Sequence, residues 1–312
     1  MLYITVPHPQ PYIDTVQSYF VMNPELQDKK TKKTILTAQK NEITEHFIYE
    51  KLSESERNPH NKKVLERISH DELTHYNFWK EYTNQDVKPD TLKFWKYYLI
   101  SRILGITFGI KLMERGEEDA QRIYEKISEF VPDAKTIQKD EDEHEKELIE
   151  LIDEERLKYV GSVVLGLNDA LVELLGALAG FTLTLQNTSL IAVVGFITGI
   201  AASLSMAASE YLSIKSEEGG QNPVKASVYT GSAYLVTVLF LIFPYLIFEN
   251  YYLCLGVTLV NAVIVISVFT YYVSVVKDIS FKKRFSEMAS ISLGIAALTF
   301  VIGFFMRMVL NV

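Results

Sequence analysis

Five apolar runs, each long enough to cross a bilayer, fill the second half of this 312-residue chain and limit what it can become. They fall at about Tyr159–Leu185, Ser189–Ile214, Val228–Phe248, Tyr251–Val276 and Met288–Leu310. A hydrocarbon core about 30 Å thick takes about 20 apolar residues as a helix, and exposed backbone in lipid leaves only helices and closed barrels as spanning forms. Before Lys158 the chain is polar and densely charged, so the net charge of −8 averages two unlike halves. The expected fold is therefore all-α, with a polar helical domain over residues 32–157 and a five-helix membrane domain over 158–312. Residues 1–31, with their prolines and His8, read as an irregular leader. They show no basic region followed by an apolar core, so no secretory signal is expected.

The loops between the runs set a topology. Lys215 and Lys225 lie between the second and third spans, and Lys277, Lys282, Lys283 and Arg284 between the fourth and fifth. The other two connections, Gln186-Asn187-Thr188 and Glu249-Asn250, carry no basic residue. Basic loops stay in the cytoplasm, which places the N-terminal domain there and the C-terminus outside. The chain's one cysteine, Cys254, lies in an apolar run, which excludes a disulfide framework or a thiolate zinc site within one chain. No nucleic-acid partner is expected. The partners are the lipid bilayer, divalent metal ions and protons.

In the polar half, apolar residues recur at helical spacing over about Lys32–Glu56, His60–Tyr82 and Thr91–Phe130. Pro59, Pro89 and Val131-Pro132 separate these segments. A fourth helix follows Pro132, and nothing before Gln186 breaks it decisively, although Gly161 and Gly166 are weak points. It is expected to run on into the first span. Four helices with short connections make an up-down bundle. The third has an apolar flank from Phe94 to Met113, interrupted by Lys96, Arg102 and Lys111. Charges at that density are expensive at mid-bilayer, so it reads as a bundle helix whose greasy side touches a membrane surface or a partner subunit.

This bundle carries Glu72-x-x-His75 on its second helix and Glu141-x-x-His144 on its fourth. Each pair puts a carboxylate and an imidazole on one helix face. Glu42 on the first helix and Glu114 on the third complete the pattern by which a bundle holds two metal ions, with Glu117 as a further candidate. Carboxylates bridge cations and cancel their charge, and neutral imidazole favours iron or manganese over magnesium. Glu45, His46 and His70 read as residues outside the ligand set.

On these residues the segment from about Lys32 to Lys158 resembles the ferritin-like superfamily, rubrerythrin in particular. The family's first-helix glutamate is followed seven positions on by a tyrosine beside the metals, as Glu42 is by Tyr49 here. Its third helix carries two glutamates three apart, as Glu114 and Glu117 are. The resemblance implies a di-iron centre (Fe2+/Fe3+, with Mn2+ as the alternative). It lacks rubrerythrin's cysteine-rich iron centre, which a single cysteine cannot build.

The first two spans are rich in Gly, Ala and Ser, which allows close helix approach and points to a homodimer. They also hold Asp169, Glu173 and Glu210, and an acid inside a span is by default a candidate functional site. Met206 and Glu210 share a helix face. The third and fourth spans hold no charge and read as lipid-facing scaffold. The words Gly166-Leu167-Asn168-Asp169-Ala170-Leu171 and Ser205-Met206-Ala207-Ala208-Ser209-Glu210-Tyr211-Leu212-Ser213 resemble the two signature segments of the vacuolar iron transporter family. That resemblance implies that Asp169 and Met206 line a route for Fe2+, with Asn168, Glu173 and Glu210 beside it. The family's Gly after the Asp is Ala170 here. Its acidic helical insert between the second and third spans is replaced by the short loop Lys215–Ser227, so the ferritin-like bundle takes over metal capture, as in the membrane-bound ferritins that share this fusion. The implied function is export of Fe2+, or Mn2+, from the cytoplasm across the cell membrane in exchange for protons. The alternative is a membrane-anchored di-iron ferroxidase or peroxide scavenger.

Overall fold

The computed structural model describes residues 29–115, 134, 137, 139, 140, 144, 155–217 and 221–310. Among these the structure is all helix and short connection, with no strand. The chain divides into two compact units, Met1–Glu154 and Glu155–Val312. Residues 1–28, Glu117 and Glu141 lie outside the described residues, as does the side chain of Glu114, while residues 29–31, expected as irregular leader, are helical.

In the first unit, α1 (Lys29–Ser55) and α2 (Pro59–Thr83) form an antiparallel hairpin. Asn58 starts α2 by accepting from the His60 N–H, and Pro59 sits at the first position, where its missing donor costs nothing. Asn84 ends it in the left-handed conformation at φ 51°. Helix α3 (Thr91–Leu104) begins at Asp90, whose carboxylate accepts from the Leu92 and Lys93 N–H groups. The hydrogen bond from Lys40 at 2.8 Å, helped by those backbone donors, holds Asp90 down at a pKa of about 2.

The long third helix expected over Thr91–Phe130 is broken. Gly105 takes φ 109° and ψ 151°, a conformation open to glycine alone, and α4 (Ile106–Arg115) starts after it. The bend brings Gly109 onto Ser101 so closely that a Cβ there would meet the Ser101 hydroxyl at 1.9 Å. Through it Ile110 and Met113 of α4 join Ile48, Tyr49, Leu52, Leu65, Ile68 and Tyr97 in one apolar cluster.

The second unit starts with a short helix, α5 (Glu155–Lys158), and its first span is α6 (Val160–Asp169), a π-turn (Ala170–Leu174) and α7 (Leu175–Leu185). The expected unbroken run into Gln186 is therefore corrected. Tyr159 leaves helical geometry at φ −104° and ψ 7°, its ring stacked on Tyr229 and its hydroxyl accepting from the Asn222 N–H. The helix is interrupted at Tyr159, the π-turn from Ala170 keeps helical backbone, and neither glycine breaks it. Gly166 instead serves close packing: a Cβ there would meet the Thr230 carbonyl oxygen at 2.2 Å.

Four further helices follow: α8 (Thr188–Ser216), α9 (Pro223–Ile247), α10 (Tyr251–Val276) and α11 (Phe281–Leu310). With Val160–Leu185 they make five segments long and apolar enough to cross a membrane, and the chain is an integral membrane protein. Large side chains such as Val193, Ile197, Leu239 and Phe243 are exposed on them and belong in lipid. The third span, α9, is not scaffold. It packs against α6, α8 and α10, and Thr230, Tyr234, Thr237, Leu241 and Tyr245 along one face are buried. Several hydroxyls inside the spans find partners: Thr182 with Tyr245 at 2.6 Å, Thr258 to the Leu241 carbonyl, Thr299 to the Gly176 carbonyl.

Candidate metal sites

Glu42 on α1 and Glu72 and His75 on α2 meet inside the first hairpin. They are 2%, 1% and 5% exposed. Antiparallel packing brings Glu42 opposite the turn that carries Glu72 and His75, and the three-residue spacing on α2 turns both side chains the same way. Their ligand atoms all lie within 4.8 Å of one another, so one cation could reach all three. His75 Nδ1 is 3.7 Å from Glu42 Oε2 and 3.7 Å from Glu72 Oε2, while its Nε2 faces Asp140 Oδ2 at 3.9 Å. Trp79 donates its indole N–H to Glu42 Oε1 at 3.2 Å and steadies that carboxylate. Two buried carboxylates and an imidazole are costly to desolvate and suit a divalent transition metal, which would cancel their charge.

His144 belongs to the same neighbourhood. Its ring stacks on His75 with centroids 5.7 Å apart, and its Nε2 lies 3.1 Å from Asp71 Oδ2. Asp71 and Asp140 thus stand in mirrored roles, each the residue before a Glu-x-x-His and each facing the histidine of the other. A carboxylate on the far ring nitrogen orients an imidazole and selects its tautomer. The repeated word Asp-Glu-x-x-His, Asp71 to His75 and Asp140 to His144, is the sequence signal for both aspartates, and the ligand reading passed over it. Tyr49 is buried in the apolar cluster two turns along α1 from Glu42. Glu45 accepts from Lys93 at 2.9 Å, and His46 Nδ1 lies 2.7 Å from the Ser69 carbonyl oxygen.

In the membrane unit, Asp169 ends α6 and Glu173 lies in the π-turn that follows it. A π-turn adds one residue to a helical turn and frequently marks a functional site. Asp169 and Glu173 interact directly, and Tyr234 of α9 lies within electrostatic reach of both. Tyr234 is wholly buried, its hydroxyl without a hydrogen-bond partner of ordinary geometry among the described residues, and the buried Asn168 Oδ1 is likewise without one. Sequence reasoning missed Tyr234 because the apolar run from Val228 to Phe248 carries no charge. Its polar residues Thr230, Tyr234, Thr237 and Tyr245, all on one face, were the available signal.

Glu210 of α8 is buried and accepts from the Ser162 hydroxyl at 2.6 Å, and the Ser162 carbonyl in turn accepts from Thr230. Ser162 stands two turns before Asp169. Spans one and two run antiparallel, so Met206, one turn before Glu210, lies at a level between Ser162 and Asp169. The Met206 side chain is half-buried and packs against the apolar core of this unit. Glu210 and Asp169 thus stand about two turns, roughly 10 Å, apart along the span, and the described contacts do not bring Met206 to either carboxylate.

Residues 160–221 match the model of the VIT family, the vacuolar iron transporters of the resemblance above. The matched segment is the pair of spans that holds Asn168, Asp169, Glu173, Met206 and Glu210. With five apolar helices it points to a membrane metal-ion transporter. No curated protein and no solved structure matches the chain.

Proposed function

We propose that this protein exports Fe2+, with Mn2+ as the competing cargo, from the cytoplasm across the cell membrane in exchange for protons. The observation that carries the reading is the VIT-family match over the two spans that contain Asp169, Met206 and Glu210. In this reading Fe2+ is the substrate and passes between the first two spans. Dications and protons compete for the same carboxyl oxygens, so in this reading loading the site with metal releases protons. Glu173 and Asn168 flank the route, and the small-residue faces pair two copies around it. The bundle lies on the cytoplasmic side, where the basic loops also lie, and the C-terminus lies outside.

Glu42, Glu72, His75, Glu114, Glu141 and His144, with Glu117 as a further candidate, would together hold two metal ions, with Tyr49 beside them. Bound iron there would supply redox chemistry. Within the chain, Trp79 orients Glu42, Asp140 faces His75, and burial keeps bulk water from the donor set. The bundle captures or senses the metal at low concentration. That same buried group favours the second reading, a membrane-anchored ferroxidase.

Metal flux in reconstituted vesicles separates the two. With Fe2+, Mn2+ and Zn2+ compared under an imposed pH gradient, the transporter reading expects Fe2+ movement driven by counterflowing protons. Iron oxidation without flux would replace it with the enzymatic reading.

A further inference from the structure

Helix α3 turns an apolar, cationic stripe outward. At about 100° per residue, Leu92, Leu99 and Ile103 fall within about 20° of one line along the helix, with Trp95 and Arg102 on one side and Lys96 on the other. Leu92 is 82% exposed, Ile103 69%, and Trp95 and Leu99 49% each. The opposite face holds the helix in place: Tyr97 and Ser101 are buried, Phe94 and Tyr98 pack on the apolar cluster, and Lys93 is tied to Glu45. The stripe is therefore a fixed surface of a docked helix. Thr91–Leu104 holds three basic residues and no acid. Lys96 lies over the Tyr97 ring and Arg102 donates to the Ser55 carbonyl, so neither meets a carboxylate among the described residues.

We propose that this stripe docks on the bilayer surface, with Leu92, Trp95, Leu99 and Ile103 at the headgroup boundary and Lys96 and Arg102 on the phosphates of anionic lipids. Charge decides the occupant. An isologous contact with a second copy sets each stripe against itself and brings cations together with no acid to offset them. An anionic headgroup layer complements both cations. Tryptophan beside aliphatic side chains with lysine and arginine at the edges is the composition of helices that lie in the interface. The chain is anchored in a bilayer by its own spans, so that surface is present at high effective concentration. The inference uses the spans alone and stands whatever the membrane unit transports.

The test uses the full chain in vesicles of zwitterionic lipid with and without a quarter of phosphatidylglycerol, the acyl chains brominated near the headgroup. Trp79 is buried, and subtracting the spectrum of Trp95→Phe isolates Trp95. In anionic vesicles Trp95 emission is expected to shift to shorter wavelength and to be quenched about twofold or more. High salt, applied to the unaltered chain, and the double change Lys96→Glu with Arg102→Glu are each expected to restore it. Emission of a water-exposed indole in anionic vesicles would overturn the proposal, as would quenching indifferent to lipid charge. A shifted Trp95 that persists in detergent and ignores bromine would place a second copy or another segment of this chain on the stripe, and would overturn it too.

Discussion

Asp169 and Glu173 are ordinary letters in the chain, and their meaning comes from what faces them. The π-turn directly after Asp169 sets the pair on one side of the span, and the Tyr234 hydroxyl from α9 joins them. Tyr234→Phe keeps the buried ring and removes only that hydroxyl. Losing that polar group beside the two acids should lower transport about tenfold, which corresponds to about 1.4 kcal/mol, and should move its pH profile. Flux measured across pH checks this, and an unmoved profile would remove Tyr234 from the site. The acids were legible because a carboxylate in an apolar run stands out against its surroundings. Tyr234 was not, since a phenol in a span is common and only the fold shows which tyrosine turns inward. Asp71 and Asp140 were hidden for another reason. The repeated word Asp-Glu-x-x-His marks both, but that each faces the histidine of the other helix is a tertiary fact.

At the scale of elements, glycine shows how the same residue type serves two purposes within α6. A Cβ at Gly166 would meet backbone, the Thr230 carbonyl oxygen at 2.2 Å, whereas a Cβ at Gly161 meets nothing within 4 Å. Gly166→Ala must push α6 away from α9 and should cost about 1–3 kcal/mol. Gly161→Ala relieves a helix interior of glycine and should be neutral or stabilising by up to about 1 kcal/mol. Thermal unfolding of the two variants in detergent ranks them, and the reverse order would contradict the packing described. Span positions were readable because hydrophobic length is set by the bilayer itself. Two breaks were not. Gly105 in an apolar segment looks like a tolerated glycine until its φ is known, and Tyr159 leaves the helix for a tertiary contact with Tyr229. The third span was misread because absence of charge does not tell lipid-facing from buried.

For the whole molecule, the two units carry separable expectations. In the proposed reading the loop between the second and third spans is too short to collect metal, and capture is assigned to the N-terminal unit. A chain beginning near Glu155 should insert and conduct but respond poorly at low iron, as flux against iron concentration would show. Full flux at every concentration would remove the capture role, and complete loss would make the bundle a gate. The division between the halves was the most legible feature of the sequence, because water and lipid select opposite compositions. The transporter reading itself stands on Asp169. A carboxyl group inside a span is costly to desolvate and is by default a candidate functional group. Asp169→Asn keeps the size and removes both the charge and the proton. In vesicles that record Fe2+ and proton movement together, this variant is expected to lose both while its bundle still binds metal. Wild-type proton-coupled flux in Asp169→Asn would mean that the ion takes another path and that the site lies elsewhere.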